Sequence, residues 1–161
     1  MKLLLNDKRV DIDNSNGYGA TPFSSACYNG HLEIVKLLLN NERVNVNKAA
    51  NDGWTSLWSA CANGHIEIMK LLLNDKRVDV NKAGNVGFGT PFYVACQYGR
   101  TVVVKYLLEC GREIDINKKN SNGKTGLDIA RENGNTDIVE LIESFQKRKL
   151  EESKSYFFFF F

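Results

Sequence analysis

The apolar residues of this chain fall into short clusters with helical spacing, separated by polar stretches. Phe23, Ala26 and Cys27 stand at i, i+3 and i+4, one face of a short helix. Gly30 follows, and a left-handed glycine can end that helix. Ile34, Val35, Leu38 and Leu39 then predict a second helix, with all four on its buried side. Glu33 and Lys36 face solvent, three residues apart, and can pair. Val44, Val46 and the polar run up to Gly53 predict an extended excursion with a turn. A unit thus reads helix, helix, projecting hairpin-like loop. Neither helix is long enough to be stable alone in water, so each must bury its apolar face against the next unit.

The unit recurs along the chain. Thr21-Pro22-Phe23, Ala26-Cys27 and the run Gly30-His31-Leu32-Glu33-Ile34-Val35-Lys36-Leu37-Leu38-Leu39 form the first copy. Thr55-Ser56-Leu57, Ala60-Cys61 and Gly64-His65-Ile66-Glu67-Ile68-Met69-Lys70-Leu71-Leu72-Leu73 form the second. Thr90-Pro91-Phe92, Ala95-Cys96, Gly99 and Val104-Lys105-Tyr106-Leu107-Leu108 form the third; Thr125-Gly126-Leu127, Ala130, Gly134 and Ile138-Val139-Glu140-Leu141-Ile142 form the fourth. Thr21 to Thr55 is 34 residues, and Thr55 to Thr90 and Thr90 to Thr125 are 35 each. A period in this range marks a stacked repeat architecture. Each threonine is a good N-cap, and Pro22 sits where a missing N–H costs nothing.

These residues carry a family resemblance. The pattern resembles the ankyrin repeat, whose first helix starts Thr-Pro-Leu-His-x-Ala. Thr21, Pro22 and Ala26 match, with Phe23 for leucine and Ser24 for histidine. The Gly30 to Leu39 run is similar to the family's second helix almost letter for letter. The likeness covers about residues 2 to 146. It implies an all-α repeat solenoid of helix-turn-helix units with projecting hairpin loops. The departures are that Ser24, Trp58, Tyr93 and Asp128 replace the histidine, and Ser56 and Gly126 replace proline. Extra residues fall before Thr90 and near Cys110, in loops that tolerate insertion.

The expected organisation is a truncated half repeat over 1–16, then four repeats at about 17–50, 51–85, 86–120 and 121–146. A polar tail, 147–161, ends in poly-Phe. Lys2-Leu3-Leu4-Leu5 aligns with Lys70-Leu71-Leu72-Leu73, so the N-terminal end of the stack should be uncapped. Glu143 to Lys154 is charged, which suits a capping helix.

The composition is that of an ordinary globular chain with a formal net charge of +2, too small to argue for nucleic acid or membrane. The Met1 to Leu5 run is too short for the ~7–15-residue core of a signal peptide. No stretch approaches the ~20 apolar residues of a membrane span. A cytoplasmic or nuclear, reducing location and a monomer are expected.

Chemistry is sparse. Cys27, Cys61 and Cys96 occupy equivalent repeat positions. Packed helices lie ~8–10 Å apart and disulfides need Cα atoms within ~7 Å, so small buried thiols are expected, not bridges or a metal cluster. His31 and His65 precede Glu33 and Glu67, but the Pro-Cys-x-x-Cys of a zinc deaminase is absent. Asp11 to Ser15 fails as a calcium loop because Asn16 and Pro22 stand where glycine and glutamate belong. No nucleophile–base pair, P-loop or nucleotide fingerprint appears. Catalysis, cofactor and metal are not expected. The run Lys147-Arg148-Lys149 is followed by Glu151-Glu152, as on a solvated helix face.

The resemblance implies that a partner protein meets the hairpin tips and the exposed face of the first helices. On matching positions these are Tyr18, Asn51, Asp52, Trp54, Phe88 and Lys124, with Val86 beside them, and Tyr28, Trp58, Tyr93, Gln97 and Tyr98 on the helices. Trp54 and Trp58, flanked by Tyr28, Phe88 and Tyr93, form the candidate hot spot, because exposed Trp and Tyr are favoured anchors. For Trp58 the alternative is packing between repeats. The implied function is a protein-interaction module, scaffold or adaptor. The competing readings are a targeting arm of a larger enzyme, such as a kinase or ubiquitin ligase, and a plain spacer.

Overall fold

The computed structural model describes residues 7–85 and 87–160, with side chains as far as 154. Its helices are α1 (Pro22–Tyr28), α2 (Leu32–Leu39), α3 (Ser56–Asn63), α4 (Ile66–Asn74), α5 (Pro91–Gln97), α6 (Thr101–Glu109), α7 (Gly126–Glu132) and α8 (Thr136–Phe160). No strand occurs among the described residues. The stretch Met1 to Asn6, which the repeat register makes a second helix, and Val86 lie outside them.

Each odd-numbered helix starts the same way. Thr21, Thr55, Thr90 and Thr125 hold extended backbone and accept the N–H three residues on, from Ser24, Trp58, Tyr93 and Asp128. These bonds satisfy donors that a helix start otherwise leaves open. At α7 the bond is reciprocal. Asp128 accepts the Thr125 N–H at 2.8 Å, and this bond holds its carboxyl below the usual carboxylate range. The turn to the second helix needs a left-handed residue. Gly64 ends α3 with φ +73°, and Gly30 holds φ +75° in the same place. A Cβ at Gly30 would also sit 2.8 Å from the His65 ring.

The helices pair as hairpins, α1 with α2 through α7 with α8, and the hairpins stack. First helices pack on first helices along the series α1, α3, α5, α7. Phe23, Leu57 and Phe92 fill the centre of each hairpin, and Ala26-Cys27, Ala60-Cys61 and Ala95-Cys96 make the close seam between them. Val35, Met69 and Val104, then Leu38, Leu72, Leu107 and Ile142, bury the second helices. Val44, Val46, Val78 and Val80 carry the core under the loops.

Two second-helix residues correct the expectation of full burial. Leu39 is half-buried, and Ile34 is 36% exposed. Ile68, Val103 and Ile138, at the same register in later repeats, are buried. The difference lies in position. Among the described residues no helix precedes α1, so none of them packs on Ile34 from that side as a preceding unit would.

Polar side chains tie each repeat back to the one before. His65 Nε2 meets Tyr28 O at 3.0 Å, Arg100 Nε donates to Ala62 O at 2.8 Å, and Asn135 Nδ2 to Cys96 O at 2.9 Å. Arg77 and Arg112 donate to Leu39 O and Leu73 O, each at 2.7 Å. All these acceptors lie at or near helix C-termini, where carbonyls lack partners within the helix. A second ladder joins the loops. Asn47 Oδ1 accepts the Asp79 N–H while its Nδ2 donates to Arg77 O, and Asn81 does the same with Asp115 and Glu113.

The loops project as turns, not ladders of strands. Ala50 N donates to Trp54 O, Gly84 N to Gly89 O, and Asn120 N to Lys124 O. The Gly84–Gly89 turn spans one more residue than the other two, which absorbs the insertion before Thr90. The last helix runs unbroken past residue 146 to Phe160, so the charged Glu143 to Lys154 segment is helical. No helix among the described residues is long and apolar enough to cross a membrane.

The unequal burial at one register position is testable by urea denaturation. Ile68→Ala is expected to cost about 2–5 kcal/mol, and Ile34→Ala below about 1 kcal/mol. Equal losses would mean that the outer side of α2 is covered.

Candidate functional site

The hairpin tips and the first helices form one continuous face. Along it the aromatic residues make a ladder. Tyr28 and Trp54 lie parallel with centroids 6.4 Å apart, and Trp54 and Trp58 stack at 4.8 Å. Phe88 meets both tryptophans edge-on at 5.6 and 6.0 Å. Offset stacking and edge contacts are the favourable geometries for ring quadrupoles. Four of the five expected hot-spot residues therefore come together, drawn from α1, the second loop, α3 and the third loop.

They are not equally accessible. Tyr18 is 81% exposed at its loop tip, Tyr28 47% and Tyr98 52%. Trp54 is half-buried in the middle of the ladder. Trp58 is 2% exposed and Tyr93 3%, which corrects the expectation that these two present themselves to a partner. The reason is the place they occupy. Both stand three residues after a threonine cap, where the helix turns inward under the next loop. Trp58 Nε1 donates to Phe88 O at 3.2 Å, and Asn120 Nδ2 donates to the Tyr93 hydroxyl at 3.0 Å. Burial raises the Tyr93 hydroxyl pKa. These rings fix the loops that carry Phe88 and Lys124. The packing alternative for Trp58 is the arrangement found.

The remaining predicted positions line the edges. Asn51 and Asp52 are exposed, and Phe88 and Gln97 are half-buried. The Asn51 N–H donates to Tyr18 O, and the Asn85 N–H to Asp52 O, so adjacent tips are fastened main chain to main chain. Lys124 is engaged with Glu132 at 2.6 Å, and that bond raises its pKa. Gln97 O accepts Asn133 Nδ2 at 2.9 Å.

Two depressions flank the ladder. The larger, about 330 Å³, is bounded by Tyr18, Ser24, Tyr28, Asp52, Trp54 and Ser59. The smaller, about 140 Å³, lies between Tyr28, Trp54, Trp58, Asn63, Tyr98 and Arg100. Asn16, Ser25, Ser59, Asn63 and Arg100 are lining residues that sequence reasoning did not select. Their signal was available, since they share helix faces or turns with the selected aromatics, but small polar residues do not stand out without the groove. Inside the ladder the Trp54 Nε1–H is buried without an acceptor among the described residues.

The family model for ankyrin repeats (3 copies) matches residues 1–84 and 79–149. The chain belongs to the ankyrin-repeat family. Its first-helix histidine position, the departure noted above, is thus filled by Ser24, Trp58, Tyr93 and Asp128, each bonded through its N–H to the threonine cap. No curated protein matches the chain.

The ankyrin cysteines do not form a site. Cys27, Cys61, Cys96 and Cys110 are free thiols, and the first three are buried. Burial pushes the Cys27 and Cys96 thiols up to about 12, and Cys61 upward too. A thiolate is the reactive form, so these three are inert in the folded chain. Among the described residues no group of acidic, histidine or cysteine side chains could hold a metal ion.

Two measurements check this division of roles. In thermal or urea melts, Trp58→Ala should cost about 3–5 kcal/mol and Tyr18→Ala less than about 0.5 kcal/mol. With an aromatic disulfide reagent at mildly alkaline pH, Cys110 should label first and Cys27, Cys61 and Cys96 only after denaturant is added. Rapid labelling of all four would contradict the burial.

Proposed function

We propose that this chain, like ankyrin repeats generally, is a protein-interaction module, non-catalytic, which grips a segment of another protein on the face formed by its hairpin tips and first helices. The observation that carries the reading is the aromatic ladder itself. Three tyrosines stand exposed around a half-buried Trp54, with a depression on either side. Interfaces favour Tyr and Trp because they bring large contact area with few rotors, plus a polar handle. Tyr18, Tyr28, Trp54 and Tyr98 are the proposed anchors, and Asn51, Asp52, Gln97 and Lys124 the polar rim. Phe88, Trp58 and Tyr93 act from beneath, by holding the anchors in place.

The form of the face also supports a protein partner over nucleic acid. A net charge of +2 supplies no basic stripe, and Lys124 is paired with Glu132. The four free thiols support a reducing compartment, cytoplasm or nucleus.

The test is affinity capture with the intact chain and a Tyr18→Ala/Tyr28→Ala/Tyr98→Ala variant, after matching their melting curves. The wild type should retain a protein that the variant loses, while Lys105→Ala/Glu109→Ala on α6 keeps it. Equal retention by all three would place binding off the aromatic face, and no retention by any would favour a spacer.

A further inference from the structure

The larger depression on the aromatic face, about 330 Å³, joins ring surface to a single charge. Tyr18, Tyr28 and Trp54 supply the rings, and among the described residues Asp52 is the one charged group that lines it. Its walls are the tip that carries Tyr18, the tip that carries Asp52 and Trp54, and the helices α1 and α3. It therefore lies between two described layers of the stack. The smaller depression on the other side of the ladder has the opposite sign. Its charged residue is Arg100, whose Nε donates to Ala62 O.

The backbone at Asp52 is fixed, and its side chain is not engaged. Asp52 O accepts the Asn85 N–H, and the Asn51 N–H beside it donates to Tyr18 O. The carboxylate is exposed and makes no ion pair or hydrogen bond among the described residues. A negative charge is thus held at the rim of the ring walls with nothing to neutralise it.

The fold does not require these residues where they stand. Counted from the threonine caps, Asp52 corresponds to Tyr18, Gly87 and Asn122. Trp54 corresponds to Ala20, Gly89 and Lys124, and Tyr28 to Ala62, Gln97 and Glu132. Layers stack with any of these side chains, whereas the caps and the turn glycines recur in every repeat. The meeting of rings and acid is a property of this one place in the stack.

We infer that the larger depression takes an arginine side chain from the partner segment. The inference rests on reading this face as the binding face. Ring faces carry negative potential and attract a cation placed over them. Asp52 adds a full negative charge beside them. A guanidinium answers both, because it is planar, stacks on aromatic faces and forks its N–H donors onto a carboxylate. Tyr28 and Trp54 lie within 4° of parallel, so a flat group set against one ring is aligned with the other. An acidic side chain would be repelled by Asp52, and an aliphatic one would leave the carboxylate unused.

The test titrates the full chain with capped Gly-Gly-Xaa-Gly-Gly peptides, where Xaa is arginine, citrulline, lysine or glutamate. The readouts are the Trp54 indole N–H and the Tyr28 and Asp52 amides in heteronuclear spectra. Citrulline keeps the shape of arginine and drops its charge, and lysine keeps the charge without the planar fork. The arginine peptide should shift these signals saturably and bind most tightly of the four. Asp52→Asn should weaken it about threefold to fivefold, the worth of one exposed ion pair. Glu109→Gln, which removes the same charge from an exposed position on α6, should leave it unchanged. Matched melting curves establish that both variants are folded. Citrulline or lysine binding as tightly as arginine, an unchanged affinity in Asp52→Asn, or no shift with any peptide would overturn the inference. In the affinity capture described above, a protein lost from the triple tyrosine variant but kept by Asp52→Asn would leave the binding face standing and remove the arginine.

Discussion

The whole structure depends on one constraint: a helix of seven to nine residues has almost no stability of its own. Each first helix in this chain exists because another layer covers it. Two kinds of contact make the cover. Alanine and cysteine at the seam let first helices approach closely, and His, Arg and Asn side chains reach back to the open carbonyls at the preceding helix ends. Each such bond is worth about 0.5–1.5 kcal/mol, with a further penalty if a buried carbonyl were left unpaired. The seam gives attraction without direction, and the reach-back bonds fix the register at which the layers meet. Stability is consequently a property of neighbouring pairs, and any position is as strong as the layer on its two sides.

The same constraint sorts the aromatic residues. A ring placed three residues after a threonine cap is carried inward by the helix and must find partners there. Trp58 and Tyr93 do so by bonding to the third loop and to Asn120. A ring at a loop tip is held only by a turn, and Tyr18 accordingly stands almost free. Trp54 lies between these cases, stacked on both sides yet reachable at the rim of two depressions. The face proposed for binding thus has a buried base and exposed edges. That combination lowers the ordering cost of association, because the inner rings are already immobilised before a partner arrives.

Much of this was legible in the sequence. The threonine caps, the glycine turns, the seam of Ala-Cys pairs and the Glu33–Lys36 ion pair follow from local spacing alone, and the last forms at 2.7 Å. The family and fold were readable for the same reason: four copies in register leave little freedom. What was not legible depended on contacts between repeats. Whether Trp58 faces solvent is decided by the loop from the next unit, and whether Ile34 is buried is decided by a layer on its other side. The Asn47 and Asn81 ladder also went unread, although the triplets Val46-Asn47-Lys48, Val80-Asn81-Lys82 and Ile116-Asn117-Lys118 mark it. A periodic polar residue looks like a solvated loop until the spacing places its amide beside the next loop's backbone.

The two ends of the stack answer the cover problem differently. At the far end α8 runs on for 25 residues with charge along its outer side, and Arg131 pairs with Glu143 across the hairpin at 2.6 Å. Those groups place charge on the outer side of the last hairpin. At the near end Pro22, Ser25, His31 and Ile34 keep the residue types of an interior layer but are less buried than their equivalents in the later repeats. An apolar side chain left at the surface is common and neutral by itself. What buries Ile68, Val103 and Ile138 at the same register is the layer beside them, so register and not residue type decides what a position contributes.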